Sequence, residues 1–359
     1  MKKTLRHAKE LDGVRGLAAL SVFVLHVFIT ARDAVPPSAI SPGWRLLNRL
    51  AGLGTLGVDV FFVLSGFLIT SLLLLDRDKA HYFRNFYWKR VLRIQPVYLI
   101  HMALAWFLLP GSHGYVVLGL VFLVNFDTYF KVPDVGPAWT LSIEEQFYLL
   151  WPQVVRRVSL ARLYHVSIAV MICSSVLRIG MVLIAHHAML RSTWYRFDGL
   201  AMGALMACQW IGEGEGQTGW TRRFLPLFNS TGALAAAIAW EALFVFGIGN
   251  SIGLAMFPTN YLCYRLIGYV MAHPGSRWFG WLGAAPLVFL GAISYSLYMM
   301  HTIFLYLYDT RVAAVSLDPA SFAIRAGVVA VAAIAACAII RYTVELPAQS
   351  LRRFVIRRS

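Results

Sequence analysis

LDGVRGLAALSVFVLHVFITA, residues 11–31, is the first long apolar run of the chain, and its ionisable residues are Asp12, Arg15 and His26. Its length suits one helical crossing of a bilayer core, which takes about 20 apolar residues. At about 100° per residue, the eleven steps from Arg15 to His26 make close to three turns, so the two side chains share one face, about 16 Å apart along the axis. An ionisable group inside a span is costly unless it meets a partner or a wet cavity, and by default it marks a functional site. The structural alternative is an Arg that snorkels to the interface and a His hydrogen-bonded inside a bundle; the pair alone does not separate the two.

The rest of the chain has the same character. Of its 359 residues 59% are hydrophobic and only 14% are charged, with a mean hydropathy of +0.65. That leaves too little polar surface to coat a soluble globule of this size. The net charge of +15 invites a nucleic-acid reading, but that reading needs the basic residues clustered on a soluble module, and none is present. Cys173, Cys208, Cys263 and Cys337 each sit in an apolar run without metal-ligand spacing, so buried free thiols are expected, with neither a disulfide nor a metal site. The opening MKKTLRHAKE resembles a signal peptide. However, the run behind it carries Arg and His and lacks a small-residue cleavage site, so a retained first span is expected.

Apolar windows of about 20 residues fall near 11–31, 52–75, 94–110, 139–155, 163–187, 194–211, 228–247, 251–272, 285–309 and 321–342. The fold class expected is therefore all-α, a polytopic membrane bundle of about ten transmembrane helices forming a single domain over residues 1–359. The segment 115–126 is short enough to be re-entrant or interfacial. With both termini cytoplasmic, 22 Lys and Arg fall inside and 8 outside, as the positive-inside rule asks. A crossing by 115–126 would invert the later basic loops.

This topology gives each ionisable residue a depth. His26 and Glu144 both lie five residues, about 7.5 Å, from the outer ends of their spans. Asp59 and Asp198 lie within about 6 to 10 Å and His301 at about 12 Å, so five spans could place these groups in one outer cavity. In WTLSIEEQFYLLWP, Glu144 and Tyr148 stand at i and i+4 on one face. In SYSLYMMH, Ser294, Tyr298 and His301 form another polar stripe, in which Ser294 and Tyr298 read better as interhelical hydrogen-bond glue. Asp198 is expected to pair with Arg196 or Arg178. A carboxylate beside an imidazole is the usual way to orient a base, which favours a functional Glu144.

On the inner side, DRDKAHYFRNFYWKRVLRIQPVYL is basic and aromatic, with Arg90 and Arg93 one turn apart. An interfacial helix on anionic lipid accounts for its general composition. Two guanidinium forks at that spacing also form a phosphate clamp, to which Arg15 could add.

The ordered motifs LDGVRG with His26 beyond it, GVDVFFVLSGFLIT, FYWKRVLRIQPVY, WTLSIEEQFYLLWP, RFDGLAMGALMA, GAISYSLYMMH and VELP resemble the acyltransferase 3 family of integral-membrane acyltransferases along essentially the whole chain. The resemblance implies transfer of an acyl group, usually from acetyl-CoA, to an extracytoplasmic carbohydrate such as lipopolysaccharide O-antigen, exopolysaccharide or peptidoglycan. It also implies that Arg15 and His26 belong to the catalytic motif and Arg90 and Arg93 to the donor-binding motif. The soluble hydrolase-like domain appended to some members is not expected here, which leaves the acceptor open.

The reading is thus a membrane acyltransferase with His26, Glu144 and Arg15 as catalytic residues and Arg90 and Arg93 on the donor. Asp12, Asp59, Tyr148, Asp198, Tyr298 and His301 are further candidates. Acyl-CoA, a carbohydrate acceptor and membrane lipid are its partners, and the cell membrane is its location. A proton-coupled transporter or flippase is the rival, since polar groups at mid-depth also describe a transport path; the lack of an internal repeat stands against it. A structural subunit of a polysaccharide-export complex is a third reading.

Overall fold

Helix α1, Lys9–Asp33, covers the opening apolar run. The structure, a computed structural model, describes residues 8–132, 136–185, 191–212, 230–245 and 252–355. After α1 come α2 (Pro42–Gly52), α3 (Leu56–Leu75), α4 (Tyr82–Leu108), α5 (His113–Leu120), α6 (Ala138–Arg157), α7 (Leu160–Ala185) and α8 (Thr193–Gly212). They are followed by α9 (Thr231–Val245), α10 (Ile252–Ala272), α11 (Ala285–Ala292), α12 (Ser294–Arg311) and α13 (Pro319–Ile340). A π-helical turn, Arg341–Glu345, then leads into the short α14 (Leu346–Ser350) and α15 (Arg352–Val355). No strand occurs among the described residues, and a helix lies over each of the ten expected windows.

Among the described residues five helical stretches are long and apolar enough to cross a membrane: Lys9–Asp33, Pro42–Leu75, Tyr82–Leu108, Leu160–Ile184 and Pro319–Val355. The pair α11 and α12, bent by 74° between them, makes a sixth if it is taken as one span. Helix α6 carries Glu144 and Glu145 among its apolar residues, and α9 has 15 residues, short of the length a straight crossing needs. Helix α5, at 8 residues, is likewise too short. Phe107, Leu183, Ile184, Val331 and Ile339 stand exposed, which suits lipid-facing surface. The family membership established below and these helices together make the chain an integral membrane protein. Lys2, Lys3, Arg6, Arg222, Arg223, Arg357 and Arg358, counted for orientation, lie outside the described residues, as do the ends of the windows at 163–187, 228–247 and 251–272.

Two expectations are corrected. The basic segment before residue 94 is not a separate interfacial helix: α4 runs unbroken for 27 residues with Pro96 inside it. Proline removes one backbone donor, and the helix continues past it. Cys173 is exposed while Cys208, Cys263 and Cys337 are buried, because neighbouring Ile172, Val176 and Leu177 of α7 also face outward.

Chain contacts divide the molecule into two units. Unit 1 takes residues up to Leu11, then Val58–Lys79 and Ile143–Gly283. Its central helix is α8, buried on every side from Asp198 to Cys208, as a core helix should be. Helices α7 and α10 pack on α8. Helix α3 crosses it backbone to backbone: a Cβ on Gly66 would stand 2.0 Å from the Leu200 carbonyl oxygen, and one on Gly203 would stand 2.0 Å from that of Val63. Small residues at both sides of a crossing permit this approach.

Unit 2 takes Asp12–Gly57, Ala80–Ser142 and the chain from Ala284 onward. Phe23 and Val27 of α1, Leu305 of α12 and Val329 of α13 form a core cluster within it. Helix α12 packs on α13 and α4. The junction of α11 and α12 meets α1 closely, since a Cβ on Gly291 would lie 1.9 Å from the Asp12 carbonyl oxygen. That contact explains the glycine in GAISYSLYMMH.

Candidate active site

In unit 2, α1 carries Asp12, Arg15 and His26. Arg15 Nη1 lies 3.9 Å from the Asp12 carboxylate one turn earlier. Further along, His26 Nδ1 is 2.9 Å from the Val22 carbonyl oxygen. A carbonyl can only accept, so Nδ1 carries the proton and Nε2 the lone pair. The backbone of α1 therefore defines the tautomer that a general base at Nε2 requires.

The His26 ring meets His301 of α12 edge to face, with centroids 4.8 Å apart. His301 is buried, and its Nδ1 lies 3.0 Å from the Leu297 carbonyl oxygen. The same tautomer argument puts the lone pair on Nε2, which is buried without a hydrogen-bond partner. Tyr298 stands beside His301, with ring centroids 6.1 Å apart, and accepts a hydrogen bond from the Thr140 hydroxyl at 2.9 Å. That is the interhelical role expected for Tyr298. Ser294 departs from its expected role: its hydroxyl bonds the Gly291 carbonyl three residues back at 2.8 Å, because it starts α12 at the bend and faces an open turn.

The segment of α1 around His26 is held by a residue the sequence reading passed over. Arg325 of α13, 2% exposed, donates from Nε and Nη2 to both oxygens of Asp309, each at 2.6 Å. Its Nη1 reaches the Val27 carbonyl at 3.0 Å, and Nη2 reaches the Thr30 hydroxyl at 2.8 Å. Thr30 in turn donates to the His26 carbonyl at 2.7 Å. An Arg well inside the apolar window 321–342 was the available signal, but nothing in the sequence names its partners.

Arg90 and Arg93 lie in unit 2 on the first half of α4, both half-buried and one turn apart. Arg90 Cζ stands 5.9 Å from the centre of the Phe86 ring, within reach of a cation–π contact.

Unit 1 holds the other candidates. Glu144 accepts from Ser65 Oγ at 3.1 Å and from Tyr148 Oη at 2.8 Å, so the expected i, i+4 pairing is made. Asp59 pairs with Arg196 at 2.9 Å. Asp198 pairs with Arg178 at 2.7 Å, one of its two anticipated partners. All four of these side chains are no more than 5% exposed. Oxygens of Asp59 and Asp198 are committed to these pairs, since an uncompensated charge would be prohibitively costly at such burial. Among the described residues, no group of three or more His, Cys, Asp and Glu side chains could hold a metal ion.

The acyltransferase domain family matches residues 8–342, and the chain belongs to that family. It is 25% identical over 327 residues to the O-acetyltransferase OatA of Staphylococcus aureus, an alignment covering 82% of this chain and 50% of that protein. It is 27% identical over 329 residues to a "Putative O-acetyltransferase" of S. aureus strain COL, covering 83% and 51%. Over 197 residues it is 32% identical to the "Putative peptidoglycan O-acetyltransferase YrhL" of Bacillus subtilis, covering 48% and 28%. The chain thus spans about half the length, or less, of these relatives. No solved structure matches it significantly.

Proposed function

We propose that this protein transfers an acyl group, most simply acetyl, from acyl-CoA drawn from the cytoplasm to a hydroxyl of an extracytoplasmic carbohydrate. In this reading it sits in the cell membrane with ten spans and both termini inside. The printed names of the relatives support an O-acetyl product, and one of them specifies peptidoglycan; the glycan acceptor is carried to this chain on that likeness. The basic asymmetry of the sequence supports the orientation.

The observation that carries the reading is the His26 ring, whose proton is tied to the Val22 carbonyl so that Nε2 is basic. His26 accepts the proton of the acceptor hydroxyl as its oxygen attacks the acyl carbonyl. Arg325 and Thr30 hold that part of α1 in place. Glu144, whose oxygens accept from Ser65 and Tyr148, is proposed as a further catalytic residue. Arg90 and Arg93, with Arg15, bind the donor's phosphates by charge-assisted forks.

The test is His26→Gln in the purified, detergent-solubilised protein. A general base contributes about 10² to 10⁴ in rate, so transfer should fall by that factor while acyl-CoA binding persists. A folded variant that binds acyl-CoA and turns over near the parent rate would refute the assignment and leave His301 as the next base to examine.

A further inference from the structure

The donor clamp on α4 has company from the far end of the chain. Helix α4 carries Arg84, Lys89, Arg90 and Arg93 and no acidic residue, and α14 and α15 likewise contain no Asp or Glu. The π-helical turn Arg341–Glu345 carries the chain on from α13 into α14, and the turn itself, α14 and α15 all pack against α4. A π-helical turn inside an α-helical run is rare and is found preferentially at functional sites. Its one carboxylate, Glu345, is 4% exposed and already engaged, by Arg341 Nη1 at 3.0 Å and by the Ser296 hydroxyl.

This packing brings Arg352 of α15 into electrostatic range of Arg93 on α4. Arg352 is half-buried. Its Nη2 makes a long contact of 3.3 Å to Gln349, and its Nε is buried without a hydrogen-bond partner. Bringing like charges together in a partly desolvated place costs free energy unless an anion answers them. A buried guanidinium donor left unfilled is the mark of a missing acceptor. We propose that Arg352 is a third cation of the anion site begun by Arg90 and Arg93, and that the three together bind a ligand with several phosphate groups, the nucleotide end of the acyl donor. The inference rests on the reading that Arg90 and Arg93 bind that donor. An anionic lipid headgroup offers the same phosphate chemistry, and the experiment separates the two sources.

The experiment is calorimetric titration of CoA into the purified full chain in neutral detergent, with the thermal midpoint recorded for each variant. Arg352→Gln should weaken CoA binding roughly ten- to a hundred-fold, the worth of one charge-assisted phosphate contact, with the midpoint unchanged. Arg353→Gln is the control: Arg353 is exposed, lies 4.7 Å from the ring of Phe354, and should bind CoA as the parent does. If Arg352→Gln unfolds, Arg352→Lys decides. It keeps the charge without the fork, so several-fold weaker binding supports the site and parent-like binding overturns it. Parent-like CoA affinity in folded Arg352→Gln, with Arg90→Ala and Arg93→Ala both weakened, overturns the third cation and leaves the donor reading standing; Arg352 would then face lipid. If Arg90→Ala and Arg93→Ala also bind CoA as the parent does, the donor reading fails together with the inference.

Discussion

In unit 1, Asp59, Arg178, Arg196 and Asp198 answer one another in two buried ion pairs. Arg178 further donates to the carbonyls of Gly253 and Tyr195, leaving only its Nη2 without a partner. In unit 2 two places are left with capacity to spare. His301 keeps a buried Nε2 without a hydrogen bond, and Arg352 of α15, beside the cations of α4, keeps a buried Nε without one. A cluster whose charges cancel locks helices together. A cluster with leftover lone pairs and donors is prepared for something that is not part of the chain. Buried charge is therefore a weak guide to function until its partners are known, and unit 1 illustrates why: the sequence reading counted Asp59 and Asp198 among the candidates.

The contrast is most exposed to failure at Asp59. Asp59→Ala leaves Arg196 buried and uncompensated, so it should cost about 3–5 kcal/mol of stability, read as a lower thermal midpoint in detergent. His26→Gln should leave the midpoint near the parent while removing activity. Replacing both partners, Asp59→Leu with Arg196→Met, should restore much of the stability, since an apolar pair of similar volume often substitutes for a buried ion pair at little cost. If Asp59→Ala is as stable as the parent but inactive, these ion pairs are functional too and the contrast collapses.

Arg325→Lys sharpens the comparison from the other side, because this buried pair lies in unit 2 beside the proposed base. A point charge cannot reproduce the fork on Asp309 while reaching Val27 and Thr30. A loss of about 1.5–3 kcal/mol is expected, together with a fall in kcat, as the backbone of His26 loses its hold. An unchanged kcat in the folded variant would make Arg325 as purely structural as Arg196.

Tyr298→Phe removes one interhelical hydrogen bond, to Thr140. Its cost should be near 0.6 kcal/mol, the average for such bonds inside membranes, with activity retained. A large loss of activity would place the hydroxyl in the chemistry.

The smallest effect belongs to Asp318, which caps α13 by accepting from the Ser321 backbone N–H at 2.9 Å. That contact holds its carboxyl below the ordinary value. The folded-state pKa is thus depressed, so the contribution is present above the unfolded pKa and is lost as pH falls through the folded one. Asp318→Ala should lower the thermal midpoint slightly at neutral pH, and the difference should vanish in acid. A difference that persists in acid would mean the cap does not depend on its charge.

What the sequence determined by itself is whatever depends on local periodicity. The apolar windows lie on helices, Glu144 and Tyr148 bond across one turn, and Arg90 and Arg93 share one face of one helix, because 3.6 residues per turn fixes these relations within a single helix. Where a helix starts was less legible: the basic residues before residue 94 suggested a boundary, yet α4 passes through them and through Pro96, since packing along a helix outweighs the loss of one backbone bond. Only the tertiary structure chose Arg178 over Arg196 for Asp198, set His301 against His26, tied Arg325 to α1 and packed α15 on α4. Those choices join residues far apart in the chain. They depend on how closely helices approach, which the glycines of α3, α8 and α11 permit, and on which buried charge finds a partner within reach; spacing along the chain encodes neither.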